Sequence, residues 1–283
     1  MTAIILTLAG VSITLLMLAE WRAKHARAIQ QRQLNLHILS KFHGLLALLQ
    51  KHRGISAALL RGKNNALPSL GKLRSQINAQ ITFLNKQAEI KNMDRWLAFI
   101  DHWRRFQQNG HLVSVTNSFE QHTNMIANLL LLLENITDFE KFNRKNFRKL
   151  DNLSLLWREL PILIESMGQI RAIGVGVITA RICCQADKLK LDTLHKEIIQ
   201  RSRIVFLHFR ENSNQSSRQH NLLQQASEST ARLTHTAVHQ LIDAKQISLD
   251  IESYYALASQ AMETSGFLLD YEMEQVTNAL ALS

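Results

Sequence analysis

Apolar residues recur at helical spacing along most of the chain. Between residues 20 and 61 they follow one another at steps of three to six, as at Leu34, Ile38, Phe42 and Leu45. Such steps place the side chains close to one face of a helix. Strand-length alternation of apolar and polar residues is not convincing anywhere in the sequence. The pattern therefore predicts an all-α protein.

Turn signals divide this pattern into seven to nine helices. Gly62 suits the C-terminus of one helix, and Pro68 suits the first turn of the next. Pro161 either kinks a helix that runs from 152 to about 185 or marks its true start. The polar segment 212–219 (NSNQSSRQ) is the clearest loop of the second half. We expect an up-down helical bundle, built as two four-helix bundles that share long helices.

The first nineteen residues contain no charge and predict a transmembrane anchor. Residues 3–19 (AIILTLAGVSITLLMLA) are just long enough to span a bilayer as a helix. Nothing basic precedes them, and Glu20 and Trp21 follow directly, so we expect an uncleaved single-pass anchor over residues 1–20. The positive-inside rule then places the body, residues 21–283, on the cytoplasmic side of the inner membrane. The alternative is an extracytoplasmic sensor body.

The formal charge of +10 is unevenly distributed. The sequence after Lys245 contains six acids and no Lys or Arg, which leaves 33 basic residues against 17 acids in the rest. Two interpretations stay open: an acidic last helix docks into a basic bundle, or the basic body attracts anions. Nucleic acid is not expected as a partner, because the Lys and Arg residues form no dense run.

Catalytic, metal and cofactor signatures are missing from the sequence. With 2 prolines and 10 glycines, the chain has too few turn residues for a β-sandwich or an α/β enzyme. Cys183 and Cys184 are adjacent on a predicted helix, where neighbours point apart, so no disulfide is expected. His235 and His239 share a helix face, but HTAVH lacks the glutamate of a zinc protease. We expect no enzyme, no metal and no cofactor.

Three stretches together resemble the nitrate- and nitrite-sensing (NIT) family. Residues 48–57 carry its first motif in Gln50, Arg53, Gly54, Ser56 and Ala57, whereas His52 stands where the family often has glutamate. Residues 165–174 contain a Gly-Gln-hydrophobic-Arg-small pattern that is similar to the family's second-half helix. Residues 254–263, with Tyr254 and Tyr255 at their start, resemble its closing helix.

This resemblance covers about residues 35 to 282 and implies a double four-helix bundle that binds nitrate or nitrite near its arginines. The chemistry of arginine agrees with this implication, because a planar guanidinium presents its donors as a fork that suits a planar anion. Arg53 and Arg171 are the first candidates, and small neighbours leave room for a ligand beside each of them. Ser56, Lys51, His52, Gln50 and Gln169 are the further candidates.

We therefore expect a membrane-anchored sensor that signals by helix repacking. Family members usually precede a kinase, a cyclase, a chemoreceptor module or an RNA-binding module, and the 283 residues leave no linker to such a module. The expected output is thus a separate, unknown partner protein or a homodimer surface. The alternative is a scaffold at the membrane that keeps the fold but binds no ligand, with Arg53 and Arg171 paired to acids such as Glu165.

Overall fold

The computed structural model describes residues 2–62, 64–110, 112–138, 155–211 and 216–281. Eight α-helices account for most of them, and no strand occurs within these ranges. The helices are α1 (Thr2–Leu60), α2 (Leu67–Leu84), α3 (Asp94–Asn109), α4 (Val115–Asp138), α5 (Leu160–Ala180), α6 (Gln185–Glu211), α7 (Ser217–Ala237) and α8 (Ile251–Ala281). The predicted all-α fold is confirmed.

The helices form two bundles in chain order. In the first bundle α1 packs on α2 and α4, and α3 packs on α4. Two indole N–H groups tie α3 to α2, since Trp96 donates to Asn85 and Trp103 donates to Asn78. In the second bundle α5 to α8 close a ring, with α5 and α8 adjacent. The long helix α1 also contacts α5 and α8, so the two bundles meet along it, as predicted.

The apolar face predicted for α1 is the face that packs in the core of the first bundle. Leu39, Phe42, Leu45 and Leu49 are fully buried against the neighbouring helices. The leucine run 129–133 on α4 is buried less completely than its composition suggests. Leu131 keeps 44% of its surface exposed, because five consecutive helical residues point in all directions around the axis.

Local signals placed three helix boundaries correctly. Gly62 has φ +91°, a left-handed conformation that glycine adopts without strain after a helix C-terminus. Pro68 lies in the first turn of α2. Pro161 marks the start of α5 after a π-helical turn, Leu155–Glu159, so the true-start alternative is the correct one. The π-turn Val238–Ile242 similarly ends α7.

Two boundary predictions need correction or lie partly outside the described residues. The helix predicted to reach about 185 ends at Ala180, so Cys183 and Cys184 lie in the connection to α6 and not on a helix; both are free thiols. Arg181 ends α5 in the left-handed conformation, at φ 56°. Of the predicted loop 212–219, residues 212–215 are outside the described range, and the Ser216 hydroxyl caps α7.

Among the described residues, one helical segment is long and apolar enough to cross a membrane. It is Leu155–Ala180, with 56% of its most apolar window buried inside the protein. Its burial among α4, α6 and α8 explains this composition as that of a core helix. The predicted anchor over residues 1–20 lies mostly outside the side chains that the structure describes, so it stays a prediction.

Candidate functional site at the junction of α1, α5 and α8

Arg53 is buried where α1 crosses α4 and α5. Only 2% of its surface is exposed, and its guanidinium donates to both carboxylate oxygens of Glu165, at 2.6 and 3.1 Å. The same side chain donates to the Thr123 hydroxyl at 3.1 Å and lies 5.4 Å from the centre of the Phe119 ring. Arg53 thus connects α1 to two other helices.

The Glu165 carboxylate accepts from three side chains of the predicted site. Besides the two bonds from Arg53, Oε2 accepts from Gln50 Nε2 at 3.0 Å and Oε1 accepts from Gln169 Nε2 at 3.0 Å. Gln50 and Arg53 are three residues apart on α1, and Gln169 lies one turn after Glu165 on α5, so each pair shares a helix face. The structure therefore brings three predicted binding residues together around one carboxylate.

Gly168 permits this close approach of α1 and α5. A Cβ atom at this position would lie 2.6 Å from Nη2 of Arg53 and 3.2 Å from the methyl group of Met262. Such distances are well inside van der Waals contact, so any side chain here would displace the guanidinium. The glycine of the second motif is explained by packing against the Arg53–Glu165 pair.

Arg171, the second predicted arginine, lies near this pair on α5. It is 8% exposed, donates to the Ser259 hydroxyl at 2.9 Å, and places its guanidinium 4.8 Å from the centre of the Tyr255 ring. Burial lowers the pKa of Arg171, and repulsion from Arg53 adds to this, whereas Tyr255 and Glu165 act in the opposite direction. No ion pair joins it to a carboxylate within the described ranges.

A cavity of about 460 Å³ opens beside Arg171 between α1, α5 and α8. Gln50 and Lys51 border it from α1, and Ser259 and Glu263 border it from α8. Its walls also contain Leu46, Ala47, Pro161, Ile164 and Phe267. An anion inside would meet a buried guanidinium, an amide and a hydroxyl beside these apolar side chains, and the carboxylates of Glu263 and Asp270 also lie on the lining.

His52 and Ser56, two further candidates, lie on the other side of α1. His52 Nε2 accepts from Arg74 at 3.4 Å, so its proton is on Nδ1, which donates to His122 Nε2 at 2.7 Å. The Ser56 hydroxyl is 3.2 Å from the same Nδ1. Both residues therefore face α4 inside the first bundle, away from Glu165. Their role as ligands stays a prediction.

Three buried histidines make the stability of the protein depend on pH. Burial lowers the pKa of His52 to about 2, with repulsion from His122 and Arg74 adding to it, and lowers the pKa of His122 to about 3. Burial also lowers the pKa of His43 to about 4. Below the ordinary value of 6.5 the unfolded chain binds protons that the folded chain does not, so the free energy of unfolding falls as pH drops from 6.5 towards 4.

This effect can be isolated at His43, whose buried Nε2 has no hydrogen-bond partner among the described residues. We expect His43→Leu to stabilise the protein more at pH 5 than at pH 8, because leucine binds no proton in either state. Glu272 acts oppositely, since burial raises its pKa to about 7, but it is present in both proteins. Urea unfolding at both pH values measures the difference, with the exposed His220→Leu as control; equal gains at both pH values would contradict the prediction.

Sequence reasoning gave Glu165 only the role of a partner in the ligand-free alternative, named Tyr255 only as part of the third motif, and proposed neither Ser259 nor Thr123 as a site residue. Glu165 carries a detectable signal, because Glu165 and Gln169 are four residues apart and share a face of α5. Tyr255 and Ser259 are likewise one turn apart in the third motif. Thr123 has no such signal, since only the packing of α4 on α1 brings it to Arg53.

A second cavity, of about 400 Å³, lies between α6 and α7. His195, His235 and His239 are among its lining residues, and the rings of His235 and His239 have their centres 4.3 Å apart. In the described part of the chain, no group of three His, Cys, Asp or Glu side chains has an arrangement that fits a metal ion. We assign no function to His235 and His239.

Comparison with known proteins gave two matches. The family described as nitrate and nitrite sensing matches residues 44–274, more than half of the chain and inclusive of all three motifs. Among solved structures the chain is similar to the NasR transcription antiterminator, with 15% identity and a TM-score of 0.63 over 94% of this chain and 74% of that one. At this identity the similarity shows the fold alone. No curated protein matches the sequence.

Proposed function

The chain belongs to the nitrate and nitrite sensing family, and from this premise we propose that it senses nitrate or nitrite at the junction of α1, α5 and α8. The family is one of sensors, which agrees with the lack of a catalytic signature in the sequence. The proposed ligand site consists of Arg171 and Arg53, with Gln50, Gln169 and Lys51 around them.

The observation that carries this proposal is the state of Arg171. It borders a 460 Å³ cavity, is 8% exposed and has no carboxylate partner among the described residues. A charge at such a position has lost most of its hydration, and the nearby Glu165 carboxylate acts on it without a direct ion pair, so the cost of desolvation is only partly offset. A small anion entering the cavity supplies the missing charge, and the planar guanidinium binds two of its oxygens at once.

Binding at this junction couples the anion to helix packing. Arg171 lies on α5, its partners Ser259 and Tyr255 lie on α8, and Gln50 and Lys51 lie on α1. An anion that contacts all three helices stabilises one relative arrangement of them over others. The change then passes along the long helix α1 or to a partner protein, or to a second copy of the chain.

We further propose that α1 anchors the protein in the inner membrane with the body in the cytoplasm. α1 continues without a break from Thr2, and its side chains 15–18 (Leu-Leu-Met-Leu) are 50–67% exposed. Trp21, 62% exposed, follows at the position of an interfacial aromatic residue. Retention in the membrane pellet after alkaline carbonate extraction supports the anchor, and release into the supernatant rejects it.

The sensing proposal is tested by thermal unfolding of the full chain in a mild detergent with added nitrate, nitrite, chloride or sulfate. Ligand at about 100 times its Kd stabilises the folded state by roughly 2.7 kcal/mol, which raises the Tm measurably. We expect a rise with nitrate or nitrite that is absent with chloride and sulfate. Arg171→Gln should abolish the rise, because the neutral amide keeps a donor but supplies no charge.

Arg104→Gln is the matched control, since Arg104 is exposed on α3 in the other bundle. It should keep the nitrate-dependent rise of the unchanged protein. An equal rise with all four anions would indicate an ionic-strength effect and reject specific sensing. A folded protein with no rise in any anion would favour the ligand-free scaffold.

That scaffold is the second candidate, and one contact favours it. It predicts that both arginines are neutralised by acids, and Arg53 does form a buried ion pair with Glu165. Arg171 does not meet the prediction, because its polar contacts are a hydroxyl and an aromatic ring. The difference between the two arginines makes the sensor the better-supported function.

A further inference from the structure

The Glu165 carboxylate occupies the kind of site that a planar oxyanion needs. Its two oxygens accept four hydrogen bonds, two from the Arg53 fork and one each from Gln50 and Gln169. The carboxylate is about 5% exposed, so these bonds replace its water shell. A carboxylate is planar and holds its charge on two oxygens, as nitrate and nitrite do on theirs.

We propose that Glu165 is a built-in competitor: its carboxylate fills the anion site of the empty protein, and the ligand binds by taking its place. This inference rests on the proposed sensing function. The ligand's oxygens accept from Arg53 and Gln50 in place of Glu165, while Arg171 supplies the second positive charge. Glu165 thereby sets the affinity of the sensor.

The cavity comes within one side chain of the Arg53–Glu165 pair. Gln50 lines the cavity on one side and donates to Oε2 of Glu165 on the other. Arg171 borders the same cavity, and its Nη2 lies 3.7 Å from the position that a Cβ of Gly54 would take, next to Arg53 in the chain. An anion held by Arg171 is therefore one side chain away from the Arg53 fork.

Exchange of the two anions also changes how the bundles are tied together. Arg53 and Gln50 belong to α1, whereas Glu165 belongs to α5, so the carboxylate is a direct link between the two helices. A free ligand satisfies the α1 donors without belonging to α5. Gln169 lies on the same helix as Glu165 and can stay bonded to it as the carboxylate withdraws. Ligand binding thus replaces the direct Glu165 link between α1 and α5 by a link that runs through the ligand to Arg171 on α5.

The donors around the Glu165 carboxylate define the ligand class. A guanidinium that binds a carboxylate through two N–H groups also fits other anions with two coplanar oxygens, which are nitrate, nitrite and small carboxylates such as formate. Chloride offers no second acceptor atom to the fork, and sulfate is a tetrahedral dianion. This site should therefore bind formate in preference to chloride. A site that recognised charge alone would not distinguish the two anions.

The expected size of the effect follows from competition within the protein. If the fork is open in about 1–10% of molecules, the apparent Kd is about ten- to a hundredfold weaker than the intrinsic one. Glu165→Gln removes the competing charge and keeps the size of the side chain. We expect this variant to bind nitrate at least about tenfold more tightly and to bind formate as well.

Isothermal titration of the full chain in detergent with nitrate, formate and chloride measures these affinities. Glu263→Gln is the matched control, because Glu263 borders the same cavity but has no bond to Arg53 among the described residues. It removes an equal charge from the site's surroundings and should change the nitrate affinity less than about threefold. Glu165→Asp, whose shorter side chain withdraws from the fork, gives a second variant with intact charge and an intermediate gain.

The outcomes separate this inference from the proposed function. Tighter nitrate binding by Glu165→Gln, with Glu263→Gln unchanged, supports the competitor, and an intermediate gain in Glu165→Asp adds to that support. Nitrate binding by the unchanged protein that Glu165→Gln leaves equal or weaker overturns it, while the sensor stands. Binding by Glu165→Gln alone supports the competitor and rejects sensing by the unchanged protein. Absence of binding in all four proteins rejects both.

Discussion

Replacing Arg53 with methionine is expected to lower the free energy of unfolding by about 3–5 kcal/mol, because it leaves the Glu165 carboxylate buried without its cation. The ion pair has side chains only 2% and 5% exposed, with a shortest N–O distance of 2.6 Å. A charge in such a place cannot be rehydrated without opening the junction of α1 and α5. Urea unfolding of the full chain in detergent, at pH 7.5 and without added nitrate, measures the loss.

The control for this variant is Arg105→Met, which breaks an exposed pair. Arg105 and Asp101 lie 2.9 Å apart on the surface of α3, with side chains 67% and 52% exposed. Pairs of this kind contribute about 0–1 kcal/mol, so a small change is expected. Equal losses in the two variants would show that burial of the Arg53 pair is not what makes it important.

The double variant Arg53→Met with Glu165→Leu shows why Arg53→Met loses stability: through the lost attraction of the ion pair, or through a carboxylate left buried without a partner. If the cost comes from the unpaired carboxylate, removal of both charges should recover much of the stability lost in Arg53→Met. A double variant that is no more stable than Arg53→Met would mean that the unpaired carboxylate is not the cause of the loss.

Gly174→Ala is expected to destabilise the protein by about 1–3 kcal/mol through overpacking. A Cβ atom at this position would overlap the ring of Tyr254. That ring cannot easily move, because it is fully buried and its hydroxyl donates to the backbone carbonyl of Ile170 at 2.9 Å. This steric overlap would push α8 away from α5 in the region of Arg171, which borders the cavity.

Gly176→Ala, two residues further along the same helix, is the matched control with the opposite sign. No atom lies within 4 Å of a Cβ placed there, and alanine is preferred over glycine inside a helix by about 0.5–1 kcal/mol. Thermal unfolding should separate the two alanine variants by about 1.5–4 kcal/mol. A stabilising Gly174→Ala would mean that α5 and α8 are not held as closely as Tyr254 indicates.

The local part of the fold was predictable because its causes are local. The spacing of Leu39, Phe42 and Leu45 defines one face of α1, and that face is the buried one. Gly62 follows the end of α1 and Pro68 lies at the start of α2, and in both cases the cause is the backbone conformation of the residue itself. The prediction failed at Cys183 and Cys184, because the end of α5 depends on Arg181, whose guanidinium donates to the backbone carbonyls of Ile247 and Leu249 far along the chain.

Four of the predicted site residues lie near one junction, but the sequence did not predict how their surroundings differ. Arg53, Arg171, Gln50 and Gln169 were chosen from motifs, and the structure places all four near the junction of α1 and α5. Nothing in the motifs distinguishes the two arginines, although one is neutralised and the other is not. Their difference depends on which residues of other helices stand opposite them.

The fold class and the family follow from the sequence alone, because helical periodicity, turn residues and motifs are all properties of short segments. The tertiary structure alone decided the electrostatics. Glu165 is 112 residues from Arg53 in the chain, yet their side chains form a bidentate ion pair. Whether a buried guanidinium is free to bind an anion depends on the dehydrated charges around it, and only the packing of α1 against α5 and α8 fixes those.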